Sequence, residues 1–218
     1  MLSISEENYL KAIHKLQTDD NPFVNTNALA DELGTKASSI TDMLKKLAKK
    51  ELCVYIKYKG VELSAIGRQK AISIVRKHRL WELFLVEKLE FSWENVHDIA
   101  EQLEHIQSEE LVHRLDTFLG FPNWDPHGNP IPNQLGELPQ RESQVLSESE
   151  IGAEHQLIGV LSEASEFLNY LNVLGLDIGS SFKILDKITF DDSLIIEHNT
   201  EQKQLSSKAT KQLIVNKL

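Results

Sequence analysis

The sequence predicts a mainly α-helical protein with a small β portion. We expect an N-terminal winged helix-turn-helix, a helical middle segment and a small C-terminal β-barrel. Two short helical patterns separated by a glycine turn come before a hairpin pattern. Longer apolar helices follow, and the last seventy residues then alternate in short strands. The predicted domains span 1–66, 67–135 and 150–218, with a linker over 136–149.

The composition predicts a cytoplasmic protein. The apolar runs are too short to span a bilayer, and the start lacks the basic and apolar regions of a signal peptide. The only cysteine, Cys53, cannot form an internal disulfide. The net charge is −10, yet residues 1–90 carry +3 and residues 36–59 carry +5. Such a basic patch is compatible with DNA phosphates, although lysine-rich helix surfaces are also common.

The first three helices follow from apolar spacing. Residues 5–18 repeat apolar side chains at helical spacing, and we expect Ser5 to start this helix. A short second helix begins at Asn25 and ends at Gly34. A third helix, about 37–49, has an apolar stripe on one side and lysines on the other. The second and third helices predict a helix-turn-helix.

A basic hairpin completes this unit. β-branched and aromatic residues flank Gly60 in residues 51–64, which predicts two strands. In a winged helix the second helix of the helix-turn-helix enters the major groove of double-stranded DNA. Polar side chains in its first turn would face bases or phosphates, and lysines would contact phosphate. The candidate DNA-contacting residues are Lys36, Ser38, Ser39, Thr41, Asp42, Lys45, Lys46, Lys57 and Lys59. A winged helix used only for protein contacts is the alternative.

The middle segment predicts three further helices. The first spans 67–89, the second about 93–107 after Ser92, and the third runs from Ser108 to Gly120. A DNA-binding unit does not need so much apolar helix. We therefore expect a homodimer, because a two-fold protein matches a two-fold operator.

Two of these helices offer side chains that bind metals. Four of them are spaced to lie on one helical face: His97, Glu101, Glu104 and His105. His78 and Glu82 share a face of the preceding helix. Two neighbouring helices with His/Glu pairs favour a metal site, although a solvated charged face is the alternative.

The rest of the chain, residues 121–218, gives weaker signals. Residues 121–149 concentrate proline, glycine and asparagine and then become polar, which predicts a linker. His127 within it is interpreted as structural or solvated rather than as a ligand. Residues 150–218 predict one short helix over 165–174 among strands. They contain no nucleophile-plus-base pattern and no phosphate-binding glycine loop, which indicates a regulatory or interaction module.

Three sequence motifs, taken together, resemble those of a known family. They are RKHRLxE at 76–82, HDxAExxEH at 97–105 and HGNPIP at 127–132. The chain resembles, over nearly its whole length, the iron- and manganese-dependent transcriptional regulators related to the diphtheria toxin repressor. The resemblance implies a winged helix, a helical metal-binding and dimerisation domain and an SH3-like C-terminal barrel. It also implies a homodimeric repressor of manganese or iron homeostasis that Mn(II) or Fe(II) activates for operator binding.

The resemblance further implies two neighbouring metal sites. The residues it assigns to the first site are Asn8, Glu101, Glu104 and His105. Those it assigns to the second are His78, Glu82 and His97, with Glu163 and Glu166 added from the barrel. Glutamate at position 101, where iron-responsive members have cysteine, suits Mn(II) without excluding Fe(II). Asn8 adds no charge, and Lys11 stands where manganese-type members have another acidic ligand. Both residues therefore weaken the first site and its assignment to manganese.

The predicted mechanism and its rivals can be separated by experiment. We expect metal to tie the first helix to the first-site ligands and so to set the spacing of the two winged helices. A winged-helix regulator of another ligand, with vestigial metal sites, would bind its operator without metal. A di-metal carboxylate enzyme would need Glu-x-x-His on two helices, and only one near-match is present, within 101–105. We expect no enzymatic activity, no membrane association and no small organic substrate.

Overall fold

A computed structural model describes residues 2–18 and 20–218, and it divides the chain into two compact units. The first unit comprises Met1–His78, Glu101–Val112 and Pro132–Glu137. The second unit comprises Arg79–Ala100, His113–Ile131 and Leu138–Leu218. The three domains and the linker expected from the sequence stay predictions. Among the described residues, no helix is long and apolar enough to span a membrane.

The first unit opens with helix α1 (Ile4–Leu16). Its cap is Ser3 rather than the predicted Ser5, because Ser3 and Glu6 form a reciprocal capping box. The Ser3 N–H donates to the Glu6 carboxylate at 2.8 Å, and the Ser3 hydroxyl accepts from the Glu6 N–H at 3.3 Å. Helix α1 buries Leu10 and Ile13 completely in the core of the winged helix.

The helix-turn-helix and wing have the predicted order. The elements are α2 (Thr26–Glu32), α3 (Ala37–Lys49), β1 (Cys53–Ile56) and β2 (Gly60–Leu63). Strands β1 and β2 pair antiparallel, and Val24 bridges to Val61 beside them. Gly60 has φ of +122°, and an added Cβ would lie 2.3 Å from the Val24 carbonyl oxygen. Only glycine fits there, so this residue sets how the wing packs on the helix-turn-helix.

Three helices follow the wing: α4 (Ala65–Leu89), α5 (His97–Leu103) and α6 (Glu109–Phe118). The prediction of a helix over 93–107 is wrong at both ends. The Trp93 carbonyl contacts the His127 imidazole at 2.8 Å, and the Glu94 carbonyl accepts from the Ser165 hydroxyl at 3.0 Å. These two carbonyls bind donors that are distant in sequence, and α5 begins only at His97.

The C-terminal part is a six-stranded antiparallel sheet in the order β3-β8-β4-β5-β6-β7. Its elements are β3 (Gln144–Val145), a 3-10 turn (Leu146–Glu148), β4 (Glu154–Val160), α7 (Ser165–Leu174), β5 (Ser181–Lys187), β6 (Leu194–His198), β7 (Glu201–Leu205), α8 (Ser207–Thr210) and β8 (Leu213–Lys217). Helix α7 has the predicted bounds. This sheet is consistent with the predicted SH3-like domain, but over the described residues it stays open between β3 and β7 rather than closing into a barrel. Strand β3 has only two residues, too few to close it.

Candidate metal centres

Three ligand-type side chains meet inside the second unit. Glu82 from α4 and Asp125 and His127 from the loop 121–131 each offer a ligand atom, and these atoms lie within 4.8 Å of one another. All three side chains are buried. Two buried carboxylates beside an imidazole are costly unless a cation compensates them. This second-unit cluster is therefore a candidate metal centre.

His97 and Glu163 lie at the solvent-facing margin of the second-unit cluster. His97 Nδ1 is 3.5 Å from Glu82 Oε1 and 3.6 Å from Glu163 Oε2. The Asn129 amide donates to Asp125 Oδ2 at 3.0 Å and to Glu163 Oε1 at 2.7 Å. These contacts join residues from two helices, a loop and the segment before α7 around one small volume.

Hydrogen bonds orient the loop ligands. The Asp125 carboxylate accepts the backbone N–H groups of His127 and Asn129 at 2.8 and 2.9 Å. His127 Nε2 lies 2.8 Å from the Trp93 carbonyl, which can only accept, so Nε2 carries the proton. Its Nδ1 is buried without a hydrogen bond and lies 3.8 Å from Glu82 Oε2. A backbone carbonyl commonly orients metal-binding histidines in this way.

The backbone of this loop is packed against strand β4. Gly128 has φ of +82°, and an added Cβ would lie 2.0 Å from the Ile158 carbonyl oxygen. The Arg141 guanidinium donates to the Gly128 and Ile158 carbonyls at 2.6 Å each. It also lies 3.6 Å from the centroid of the Trp124 ring. The segment that the sequence indicated as a linker is thus fixed beside the cluster.

The electrostatics of the second-unit cluster favour a cation. Burial and the neighbouring Glu82 carboxylate raise the pKa of Asp125 to about 6. Burial alone would lower the pKa of His127, but Glu82, Asp125 and Glu163 raise it to about 9. Close carboxylates stabilise positive charge at the imidazole. A divalent cation would satisfy the same carboxylates and displace that proton.

A second cluster lies in the first unit around Glu104, in the turn after α5. Glu104 is fully buried, and the Lys11 ammonium contacts its Oε1 at 2.7 Å and its Oε2 at 2.9 Å. Lys11 also contacts Glu101 Oε1 at 3.1 Å. His78 Nδ1 lies 2.6 Å from Glu104 Oε2. The carboxylates of this first-unit cluster are therefore paired with a protein cation.

The first helix meets the first-unit cluster through Glu7. The Glu7 carboxylate lies 2.6 Å from His105 Nδ1 and accepts from the Gln107 amide at 3.0 Å. The side-chain oxygen of Asn8, the predicted ligand, is buried without a hydrogen bond. Glu7 was not among the predicted ligands, although its place one residue before Asn8 was the available signal.

The four residues that were predicted to share one helical face are divided between the two units. His97 belongs to the second unit, whereas Glu101, Glu104 and His105 belong to the first. His78 and Glu82 lie one turn apart on α4, as expected. Glu163 reaches His97, whereas Glu166 is exposed in the first turn of α7.

Asp125 and His127 are candidate ligands that the sequence did not predict. They lie in a segment rich in proline and glycine, where no helical or strand period connects them to Glu82. The short spacing of Asp125, His127 and Asn129 was the available signal, because alternate residues of a tight turn can converge. His127 is completely buried beside two carboxylates, so the solvated alternative is wrong, whereas its role as a structural residue or as a ligand stays a prediction.

The predicted DNA-contacting residues lie on α3 and the wing. Most of them are exposed: Lys36, Ser38, Ser39, Asp42, Lys45, Lys46, Lys57 and Lys59. Thr41 is half-buried, and its hydroxyl donates to the Ala37 carbonyl at 3.2 Å. Lys46 forms an ion pair with Glu6 at 3.2 Å, and Lys45 forms a looser one with Asp42 at 3.6 Å.

A winged helix joined to helices with buried carboxylate–imidazole clusters defines a class of metal-dependent repressors. Residues 1–61 match the iron dependent repressor N-terminal DNA binding domain, and residues 64–133 match the metal binding and dimerisation domain of the same family. The chain belongs to the iron-dependent repressor family.

Individual relatives agree with this assignment. The diphtheria toxin repressor of Corynebacterium jeikeium (strain K411) is 33% identical over 132 residues, which are 61% of this chain and 54% of that protein. The match thus spans about half the length of this curated relative. A manganese-dependent transcriptional repressor in complex with manganese is 33% identical with a TM-score of 0.85, covering 98% of this chain and 100% of that one. ScaR with bound Zn²⁺ is 31% identical with a TM-score of 0.74, covering 98% and 99%.

Proposed function

We propose that this protein is a cytoplasmic, homodimeric transcriptional repressor that a divalent metal activates for operator binding, and that it controls manganese or iron homeostasis. The observation that supports this best is the second-unit cluster of Glu82, Asp125 and His127. Its buried carboxylates and its oriented imidazole suit a cation, and it belongs to a chain with a winged helix.

The donor atoms favour Mn(II) or Fe(II). Carboxylate oxygens and imidazole nitrogen, without thiolate, form a set that suits these ions. Glu82, Asp125 and His127 would hold the metal, with His97 and Glu163 at its solvent side. The bound ion would supply positive charge that neutralises the cluster. The Trp93 carbonyl and Asn129 would keep the ligands oriented as they are without metal.

Helix α3 is the proposed recognition helix. Ser38 and Ser39 are exposed in its first turn, and Lys36 precedes them. In the wing, Lys57 is exposed beside Tyr58, which is 94% exposed at the tip. The serines would face bases or nearby phosphates, and the lysines would contact phosphate.

Metal would act by shifting a conformational equilibrium towards the DNA-binding arrangement. It can do so only by its difference in affinity for the two states, typically about 1–3 kcal/mol of coupling. Operator DNA must then raise the affinity for metal by the same factor by which metal raises the affinity for DNA. This reciprocity distinguishes a metal-activated regulator from a metal-stabilised protein that binds DNA constitutively.

Fluorescence anisotropy with DNA from the protein's own upstream promoter tests the proposal. The protein is titrated at fixed salt with Mn(II), Fe(II) or Zn(II), with chelator as the blank. Wild type should bind DNA only with metal, and Glu82→Gln should lose that response. Glu197→Gln, on the exposed face of β6 in the same unit, is the matched control and should behave as wild type. Operator binding that is indifferent to metal and chelator would contradict the proposal.

We further infer that the protein regulates rather than catalyses. The dimetal carboxylate alternative predicts oxygen consumption with Fe(II), which an oxygen electrode measures directly. Turnover of oxygen by wild type, lost in Glu82→Gln, would favour the enzyme instead.

A further inference from the structure

We propose that the ammonium group of Lys11 takes the place of a metal ion in the first-unit cluster, so that α1 is joined to α5 and the turn after it without metal. Metal responsiveness would then belong to the second-unit cluster, and in this respect the inference rests on the proposed function.

The contacts of Lys11 are those of a bound cation. Its Nζ lies 2.7 and 2.9 Å from the two oxygens of Glu104 and 3.1 Å from an oxygen of Glu101. Glu104 is fully buried, and Lys11 is itself only 21% exposed. An ammonium has three N–H donors, and three carboxylate oxygens surround this one.

A metal ion using the same oxygens would collide with this ammonium. Divalent ions lie about 2.0–2.6 Å from their carboxylate ligands. An ion that close to the Glu101 and Glu104 oxygens would lie in the volume that the Lys11 Nζ fills. It would also meet a like charge, so Lys11 would have to move away before the ion could enter.

Other contacts in the first unit also help to balance the negative charge of Glu104 without a metal ion. Lys77 is buried near Glu104 and donates to the Ile106 carbonyl at 3.3 Å. His78 Nδ1 lies 2.6 Å from Glu104 Oε2, one of the two oxygens that Lys11 also contacts. In the second-unit cluster the Arg79 Nε lies 3.8 Å from Asp125 Oδ2, farther than the Lys11 ammonium lies from its carboxylate oxygens. The Glu101 and Glu104 carboxylates of the first-unit cluster are therefore balanced by close protein cations.

The surrounding donors remain in place around Lys11. His105 Nε2 lies 3.8 Å from Glu104 Oε1, and the Asn8 side-chain oxygen is buried without a hydrogen bond. Removing the ammonium should therefore leave a latent metal site with oxygen and imidazole ligands. Lys11 would be a positioning residue that holds α1 against α5 by charge alone.

The test counts Mn(II) ions bound per full-length chain by equilibrium dialysis with electron paramagnetic resonance detection. The variants are Lys11→Met and Lys11→Gln, each in the wild-type and the Glu82→Gln background. Lys15→Met is the matched control, because Lys15 lies one turn further along α1 and pairs with Glu32 at 2.8 Å.

Wild type should bind one Mn(II), and Glu82→Gln should bind almost none. Lys11→Met in the Glu82→Gln background should regain one Mn(II), with an affinity about tenfold or more above its Lys11 parent. Lys15→Met in that background should gain none. Without Mn(II), Lys11→Met should melt below wild type, and Mn(II) should restore its melting temperature.

Several results would overturn the inference. Glu82→Gln with Lys11 intact could bind one Mn(II) as tightly as the double variant, or both Lys11 variants could fold without gaining any. If neither variant folds alone, circular dichroism with Mn(II) decides, because a latent site predicts metal-induced folding. A wild type that binds no Mn(II), with a Lys11→Met that binds one, would instead contradict the proposed function and leave the role of Lys11 intact.

Discussion

His127 binds a proton that a metal ion must displace. Burial lowers the pKa of its imidazole, but Glu82, Asp125 and Glu163 raise the pKa to about 9. At pH 7 the metal-free protein therefore carries this proton, and Mn(II) bound at Nδ1 in the proposed site would release it. We expect Mn(II) affinity to rise about tenfold per pH unit below pH 9, and more steeply below pH 6, where Asp125 also protonates.

Calorimetry at pH 7 in two buffers of different ionisation enthalpy measures the protons released. About one per Mn(II) is expected from this linkage. Heats that are independent of the buffer would show that His127 is not protonated in the metal-free protein.

Glu6 connects α1 to the end of α3. Its carboxylate accepts from the Lys50 ammonium at 2.7 Å and from the Ser3 N–H at 2.8 Å. Burial raises the pKa of Glu6, but Lys50, Ser3 and Lys46 lower it more, to about 2. Because the folded pKa lies below the unfolded one, the stabilisation is complete above about pH 4.5 and is lost as the pH falls towards 2.

We therefore expect Glu6→Gln to lower the free energy of unfolding at pH 7 by about 1–2 kcal/mol, since the exposed lysines are partly screened. The loss should shrink as the pH approaches 2. Urea denaturation at several pH values measures this, with Glu62→Gln in strand β2 as the control. Equal losses of unfolding free energy at pH 7 and near pH 2 would mean that Glu6 acts through packing rather than through its charge.

At the scale of elements, the loop 121–131 depends on backbone contact with β4. An alanine at Gly128 would place its Cβ 2.0 Å from the Ile158 carbonyl oxygen, and its φ of +82° would be strained as well. We expect Gly128→Ala to displace His127 and to lower Mn(II) affinity about tenfold or more.

Gly152→Ala separates strain from collision. Gly152 has a similar φ of +88° but nothing within 4 Å of its added Cβ. The Gly152→Ala variant should lose about 1 kcal/mol of stability and keep its Mn(II) affinity unchanged. Equal losses of affinity in both variants, measured by calorimetry, would mean that local strain rather than the contact with β4 controls the loop.

Regular elements were predictable where apolar period and helix caps agree. Helices α3 and α7 have the predicted bounds. Helix α5 is shorter because the Trp93 and Glu94 carbonyls bind donors that are distant in sequence. No local pattern contains that information.

The candidate sites divide in the same way. Candidate ligands on helices, such as Glu82 and His97, were predictable because residues three or four apart share a face. Asp125 was not, because it reaches Glu82 through a tight turn whose conformation depends on tertiary contacts. The ammonium of Lys11 between Glu101 and Glu104 likewise depends on a contact across about ninety residues of sequence.

At the scale of the whole molecule, three exposed apolar side chains in the second unit are candidates for a dimer interface. They are Leu89 at the end of α4, Phe118 at the end of α6, and Phe121 shortly after it. Phe118 is 65% exposed although it contacts the Phe84 ring. Exposed aromatic residues of this kind commonly mark protein interfaces.

We expect Phe118→Glu to yield a monomer. Operator binding should weaken about a hundredfold or more, because each monomer then binds its DNA half-site alone. Val173→Glu is the control, since Val173 is 86% exposed on α7. Light scattering gives the mass, and anisotropy gives the DNA affinity. A dimeric Phe118→Glu that binds DNA normally would place the interface elsewhere.

The open sheet has a consequence for solubility. Its edge strand β7 has unpaired backbone groups along one side, which other chains could extend into intermolecular sheets. The strand reads Glu-Gln-Lys-Gln-Leu, and its Lys203 pairs with Glu201 at 2.9 Å. Charged and amide side chains at an edge discourage such growth. Because the strand is so polar, its sequence has no apolar alternation that would predict a strand. Valine at both charged positions should therefore give a chain that folds as before but precipitates as β-rich aggregates.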